Sequence, residues 1–222
     1  MLFSEIKVIT VESPSFGQNA YIVHCDNSEA CFIVDPGFDA DRIVDIVKKR
    51  GLIPEAILVT HGHIDHIAGI SEIREEWREC PIHIGREDAD KLTDPNTNLS
   101  LHFGFPFHAP PADRVLDDGE TIDICSMPIR VLHVPGHSRG QVAYVLLCED
   151  GKMAFVGDIV FQGSVGRADF PDGDFDLLIK GIKGKLLTLP ENTVFLPGHG
   201  PKTTAGDESR NNPYLTTSSG RE

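Results

Sequence analysis

Three imidazoles and a carboxylate fall within six residues in the segment Thr60-His61-Gly62-His63-Ile64-Asp65-His66. Imidazole nitrogen and carboxylate oxygen are the donors that zinc prefers, and iron or manganese also accepts them. The segment joins a continuously apolar run, Ala56 to Val59, to a stretch with helical spacing. A strand end lets the alternate side chains His61 and His63 point to one side, and the turn into a helix can aim Asp65 and His66 at a second point nearby. Gly62 lets the backbone approach closely there. Crowding so many imidazoles gains nothing obvious without a metal, so the segment is expected to bind one.

One cluster does not complete two metal sites. Three later segments share a signature, an apolar strand that ends in a glycine-flanked polar residue. They are Val131-Leu132-His133-Val134-Pro135-Gly136-His137, Phe155-Val156-Gly157-Asp158 and Val194-Phe195-Leu196-Pro197-Gly198-His199-Gly200. In each, the glycine makes room and the strand end is a rigid platform for one donor. Singly these are weak signals; with the first cluster they make His137, Asp158 and His199 candidate ligands. His24, His83 and His133 sit inside strand-like runs and read as structural, while for His102 and His108 a substrate role stays open.

The positioning elements can be read from periodicity. Strand-length apolar runs open the chain at Ile6 to Val11, Tyr21 to Cys25 and Cys31 to Val34, with turn residues between them. Asp35-Pro36-Gly37 ends the third run. Asp39 is placed to cap a helix to about Arg50, with Ile43, Val44 and Val47 on one face and Gly51 as the stop. The spacing of Ile67, Ile70, Ile73 and Trp77 predicts a second helix from about His66 to Glu79, followed by a strand from Pro81 to Ile84. Strands are expected at Thr121 to Ile124, Ile129 to Val134, Val142 to Leu147, Met153 to Val156 and Thr193 to Leu196, with a helix at about Phe175 to Leu187. Between Thr93 and Ala112 lies a long aperiodic stretch rich in Pro, Asn, Phe and His, which fits either a lid over the site or a surface loop pinned by its phenylalanines. From about Pro201 the sequence is a polar, Gly/Asn/Ser-rich tail. Strands then a helix, given twice, suit two packed sheets with helices outside, an α/β sandwich.

Bulk composition limits the function classes. The chain has 222 residues with 40% hydrophobic and 24% charged, as in an ordinary globular protein with one sizeable core. No linker or low-complexity block divides it, so one domain over residues 1–222 is expected. A formal charge of −14 argues against a nucleic-acid surface, which needs clustered Lys and Arg. Small anionic substrates stay open, because bound cations can reverse the local field. Five scattered cysteines without a Cys-x-x-Cys pair read as buried reduced thiols. Met1 to Thr10 lacks a signal-peptide core, and no stretch approaches the ~18 apolar residues of a membrane span, so a cytoplasmic enzyme is expected.

With these residues in place, the chain resembles the metallo-β-lactamase fold superfamily, from Tyr21 to about Leu215 and with the motifs in family order. The resemblance implies a four-layer αβ/βα sandwich with a dinuclear site at its edge. By position, His61, His63 and His137 would hold the first metal, Asp65, His66 and His199 the second, and Asp158 would bridge them. Asp35 matches the family's buried aspartate that orients the metal loop. Within the superfamily, Asp35-Pro36-Gly37, Pro135-Gly136-His137, the run from Gly163 to Pro171 and Pro197-Gly198-His199-Gly200-Pro201 are similar to the glyoxalase II (hydroxyacylglutathione hydrolase) group. The chain ends soon after His199, without that group's C-terminal helical domain, and so resembles its short single-domain bacterial branch.

The resemblance implies a thioesterase for S-(2-hydroxyacyl)glutathione-type substrates. Two cations, zinc first and iron or manganese next, would lower the pKa of water to about 7 and supply hydroxide near neutrality. Asp65 would also orient that hydroxide. Arg167 is a candidate for a substrate carboxylate, with an ion pair to Asp169 or Asp172 as the competing reading; Lys202 is a weaker candidate of the same kind. The first rival is the persulfide dioxygenase branch, which binds one iron through positions matching His61, His137 and Asp158; Gly200 after His199 favours the hydrolases. A closed, non-catalytic metal site is a second rival, disfavoured because no cysteine adjoins the motifs. Cleavage of a lactone or another ester on the same fold remains an alternative, because fold and metal site do not fix the substrate.

Overall fold

The computed structural model describes residues 5–148 and 152–216. In its first sheet β1 (Ile6–Glu12), β2 (Asn19–Cys25), β3 (Ala30–Val34), β4 (Ile53–Val59), β5 (Ile82–Gly85) and β6 (Arg114–Leu116) lie side by side in chain order. The chain then builds β7 (Thr121–Ile124), β8 (Met127–His133), β9 (Val142–Leu147) and β10 (Lys152–Gly157), a small hairpin of β11 (Val160–Phe161) and β12 (Ser164–Val165), and finally β13 (Val194–Pro197) and β14 (Thr203–Thr204). The second sheet runs β14-β13-β10-β9-β8-β7.

Side-chain alternation explains how the sheets stack. In β3 and β4, Ile33, Ile57 and Val59 point to one core, and Phe32, Val34, Ala56 and Leu58 point to another. In β9, Val142, Tyr144 and Leu146 join that second core, while Ala143 and Val145 join a third. Each strand is apolar on both faces because both are covered, as its unbroken hydrophobic run foretells. Helix α1 (Ala40–Arg50) and helix α3 (Ile70–Glu76), which follows the single turn α2 (Ile64–Ile67), cover the first sheet with Ile43, Val47, Ile70 and Ile73. Helix α4 (Phe175–Gly181) and the wide turn at Ile182–Leu186 cover the second with Leu178, Ile182 and Leu186. The order helix, sheet, sheet, helix is the expected four-layer αβ/βα sandwich.

Several local expectations need correction. Asp39 does precede α1, but at φ 65° its carboxylate makes no cap bond and accepts from Ser13 Oγ at 2.8 Å instead. The helix expected from His66 to Glu79 is broken in two. Gly69 sits between the pieces, its N–H bonded to Pro36 O at 2.8 Å, and a Cβ there would lie 2.5 Å from Ala40 Cβ. The break therefore presses the metal-loop turn onto the Asp35-Pro36-Gly37 corner. The region after Pro201 is more than a polar tail: β14 pairs with β13, and α5 (Ala205–Asn211) and α6 (Pro213–Thr216) follow. Thr204 caps α5 by accepting from Asp207 N, and buried Glu208 accepts from Thr203 Oγ1, Gly163 N and Asn212 Nδ2. Polar contacts hold this segment down, so hydrophobic periodicity gave no sign of it.

Candidate metal centre

The two sheets are bound together directly beneath the histidine turn. Tyr144 of β9 donates to Val59 O at 2.9 Å, and Val142 N bonds Thr60 O at 2.9 Å. Just beyond, Asp35 at the end of β3 is buried at φ 48°, a left-handed conformation that few residues with side chains adopt. Its carboxylate accepts from Thr60 N and Thr60 Oγ1, each at 2.7 Å, and from His66 Nδ1 at 3.0 Å. Three donors satisfy the buried charge. They also fix His66 with its Nδ1–H engaged and Nε2 facing the site.

The same logic settles two more rings. Thr60 Oγ1 gives its proton to Asp35, so at 3.2 Å it accepts from His61 Nδ1–H. His137 Nδ1–H donates to Arg167 O at 2.8 Å. His61 and His137 therefore present unprotonated Nε2 atoms to each other at 3.2 Å, with His63 Nδ1 3.0 Å from His137 Nε2. Lone pairs facing at that distance repel unless a cation lies among them, so this donor set fits a metal ion. Burial holds His61 and His63 well below the ordinary imidazole range, and the surrounding imidazoles and Lys91 add to it. Burial also lowers His137, against the pull of Asp158.

Beside this group lies an acidic one. His199 Nε2 is 3.2 Å from Asp65 Oδ2 and 3.6 Å from Asp158 Oδ2, and His66 Nε2 is 3.4 Å from Asp158 Oδ1. Asp158 Oδ2 is also 3.7 Å from His137 Nε2, which puts this carboxylate between the two groups. His66 Nε2 and Asp158 Oδ1 are buried with no hydrogen-bond partner, an arrangement a cation would complete. Burial works against charge on all three side chains. Even so, Asp65, Asp158 and Asp35 hold His66 well above the usual imidazole value, and His66 with its neighbours holds Asp65 and Asp158 below theirs. Among the described residues, three sets of donor atoms thus come close enough to hold metal: His61, His63 and His137; His61, His66 and Asp158; and Asp65, His66 and His199.

Glycines make this convergence possible. A Cβ on Gly198 would lie 2.2 Å from Asp158 Oδ1 and 2.5 Å from His66 Cε1, so any other residue would displace a donor. Gly62 is equally constrained, with its missing Cβ 2.4 Å from Lys91 Cβ. The His199 loop is anchored from the other sheet, where Tyr21 Oη donates to Pro197 O at 2.6 Å and Asn19 Nδ2 to Gly200 O at 2.9 Å.

Sequence reasoning missed the support underneath. Asp88 is fully buried and accepts from Gly62 N at 2.9 Å, Gly140 N at 2.8 Å and the Ser138 hydroxyl. Buried Lys91 donates to Ser138 Oγ at 2.6 Å and Asp172 Oδ2 at 2.5 Å. These groups join the loops of His61, His63 and His137 from below. Gln141, oriented with its oxygen toward the Asp158 turn, accepts from Asp158 N at 2.9 Å and Ile159 N at 2.8 Å. Only the position of Ser138 beside His137 offered a hint; Asp88 and Lys91 lie in a short 3-10 segment with no motif around them.

The other expected residues divide. Arg167 pairs with Asp169 at 2.9 and 3.0 Å and lies 4.7 Å over the Phe170 ring, so the ion pair of the competing reading is present; the residue also lines the cavity, and its carbonyl reaches His137. Asp172 pairs with Lys91 instead. Lys202 lines a neighbouring groove with Glu12 and Asn19, away from the cavity above the histidines. His24 and His133 bond to carbonyls within their own surroundings, and His108 Nδ1 bonds Thr93 O at 2.8 Å. His102 does line the cavity, as do Leu99 and Phe103 from the Thr93–Ala112 stretch. The thiols of Cys31 and Cys80 are buried, and burial pushes both up to about 12. No described helix is long and apolar enough to cross a membrane.

A donor-lined cavity at the edge of two stacked sheets defines a metal-binding α/β sandwich. Residues 14–199 match the Metallo-beta-lactamase superfamily. A probable metallo-hydrolase of Bacillus subtilis, YqgX, is 38% identical over 198 residues, covering 89% of this chain and 92% of that protein. Hydroxyacylglutathione hydrolase GloC of Haemophilus influenzae is 34% identical over 218 residues, covering 96% of this chain and 99% of that protein. The crystal structure of the BLEG-1 B3 metallo-beta-lactamase superposes with a TM-score of 0.89 at 36% identity, covering 95% of this chain and 100% of that one. The chain belongs to the metallo-beta-lactamase superfamily and is a metallo-hydrolase within it.

Proposed function

We propose that the chain is a dinuclear thioesterase that hydrolyses S-(2-hydroxyacyl)glutathione-type thioesters. The observation that carries this reading is the position of Asp158 between an all-imidazole group and an acidic group. His61, His63 and His137 are assigned to one cation, and Asp65, His66 and His199 to a second, with Asp158 shared. Two such cations, zinc being the first choice, would lower the pKa of water to about 7 and polarise the substrate carbonyl.

The protein's own groups do the rest. Burial works against charge on Asp65, but His66 and His199 keep its carboxylate ionised and below the ordinary range, so at the cavity wall it can accept a hydrogen bond from the attacking water and orient it. Asp35 fixes the His66 ring through Nδ1, and the Arg167 carbonyl fixes His137 in the same way. The thioester reading is supported by the likeness to GloC across nearly the whole chain.

The test is a hydrolase screen led by S-lactoylglutathione and run after metal quantification. Two metals per chain with release of free thiol is the expected outcome. One iron per chain, with oxygen uptake on glutathione persulfide and no thiol release from the thioester, would contradict it.

A further inference from the structure

The cavity above the donor atoms has a volume of about 490 Å³, and much of its wall plays no part in holding metal. Ile64, Leu99, Phe103, Phe161 and Phe170 form that apolar wall. Leu99 is buried at φ 68°, a strained conformation for a branched side chain, and it is pinned from both sides. Asn98 O accepts from Ile64 N at 2.9 Å, Asn98 Nδ2 donates to Phe107 O at 3.0 Å, and Asn98 Oδ1 accepts from Ser100 N at 3.0 Å. The loop is thereby fastened to the metal-binding turn with Leu99 on the cavity side. At the mouth, Phe103 is 54% exposed, with its ring edge-on to Phe16 at 5.5 Å. Exposed aromatic surface beside a cavity marks a place where apolar matter binds.

The charges point the same way. Arg167 is the single lysine or arginine lining the cavity among the described residues, and its guanidinium is already paired with Asp169. Lys202 lines a different groove. A glutathione thioester carries two carboxylates on its thiol half, and on the cavity wall away from the metal donors no unpaired lysine or arginine among the described residues is there to meet them. We propose that the cavity takes the acyl arm and selects apolar acyl thioesters, straight-chain or aromatic, over the small polar lactoyl group. The charged thiol half stays at the mouth, in water. Hydrolysis then forms the acyl C–O bond, breaks the C–S bond and leaves the proton from water on the departing thiol. This inference rests on the reading as a glutathione thioesterase and departs from it in the acyl group, replacing the 2-hydroxyacyl group with an apolar one.

The experiment has two arms, both on the metal-loaded protein. The first measures kcat/KM for glutathione thioesters with lactoyl, acetyl, butyryl, hexanoyl and benzoyl groups. The second measures binding of the non-hydrolysable thioethers S-methyl-, S-butyl- and S-hexylglutathione by calorimetry. Both should strengthen about three- to fourfold per added methylene, the gain expected when apolar surface is buried. Phe103→Glu should flatten both slopes. Turnover of the lactoyl thioester with a flat or falling chain-length slope overturns this inference and leaves the thioesterase reading intact. A rising thioether slope with no thioester turned over removes the thioesterase reading while supporting the apolar cavity. Flat slopes in both arms with no turnover remove both.

Discussion

The two halves of the donor cluster are built on opposite electrostatic plans. His61, His63 and His137 are buried, neutral and held by an ionic network that lies beneath them. The second group is acidic and more open, with the His199 side chain 27% exposed and that of Asp65 18% exposed. One group offers lone pairs that face each other, and the other offers negative charge that holds His66 above the usual imidazole value against burial. The difference teaches that a metal ion meets two obstacles here. It must reach buried imidazoles at the first group, and it must compete with protons at the second.

Breaking what the halves share should have the largest effect. Asp158→Ala should abolish turnover and empty both groups together, measured by metal analysis and thiol release; full activity in that variant would be fatal to the shared-carboxylate arrangement. Next, Lys91→Met should destabilise the fold by about 3–5 kcal/mol in urea melts, because it leaves Asp88 buried without its cation. A loss confined to a few tenths would show that Asp88 is satisfied by its backbone donors alone.

Asp35→Asn should weaken metal binding at the second group by about 10–100-fold, the usual cost of losing a carboxylate behind a ligating imidazole. Competition with a chelating dye should show the larger loss in one of the two metals, because Asp35 reaches His61 of the first group only through Thr60; equal weakening of both would dissolve the contrast. Acidification should sharpen it. His66 is held above the ordinary imidazole value of about 6.5, so protons compete for the second group at neutral pH and more strongly below it. His61 and His63 are held below that value, so the first group should keep its metal to lower pH. Metal content measured across a pH series should therefore fall in two steps.

The smallest effect concerns Asp172. Burial works to raise it, but Lys91 outweighs burial and holds it below the ordinary carboxylate value. Its stabilisation is therefore present above about pH 3.9 and is lost as pH falls through its folded value. Asp172→Asn should remove about 1 kcal/mol at neutral pH and little in strong acid, by melts at the two conditions.

The side chains that the structure brings together as candidate donors could be picked out in the sequence because metal chemistry restricts residue type, and because glycine beside a strand end is needed for close approach. His61 to His66, His137, Asp158 and His199 all carry that mark. The sandwich was legible because β3, β4 and β9 are covered on both faces and so read as unbroken apolar runs. The Asp88–Lys91–Ser138–Asp172 network left no such trace, since its members lie far apart and any polar residue can sit on a surface. Helices α5 and α6 were hidden for a related reason: Glu208 and Asn212 fasten them by hydrogen bonds, and the buried Ala205 and Leu215 are too few to make an apolar stripe. Lys202 was the reverse case, near His199 in the chain but turned into another groove.

An anomalous-difference map from crystals grown with zinc bears most directly on the central claim. Two peaks are expected, one within bonding reach of His61, His63 and His137 and the other of Asp65, His66 and His199, with Asp158 touching both. A single peak, or two peaks that Asp158 does not join, would contradict it.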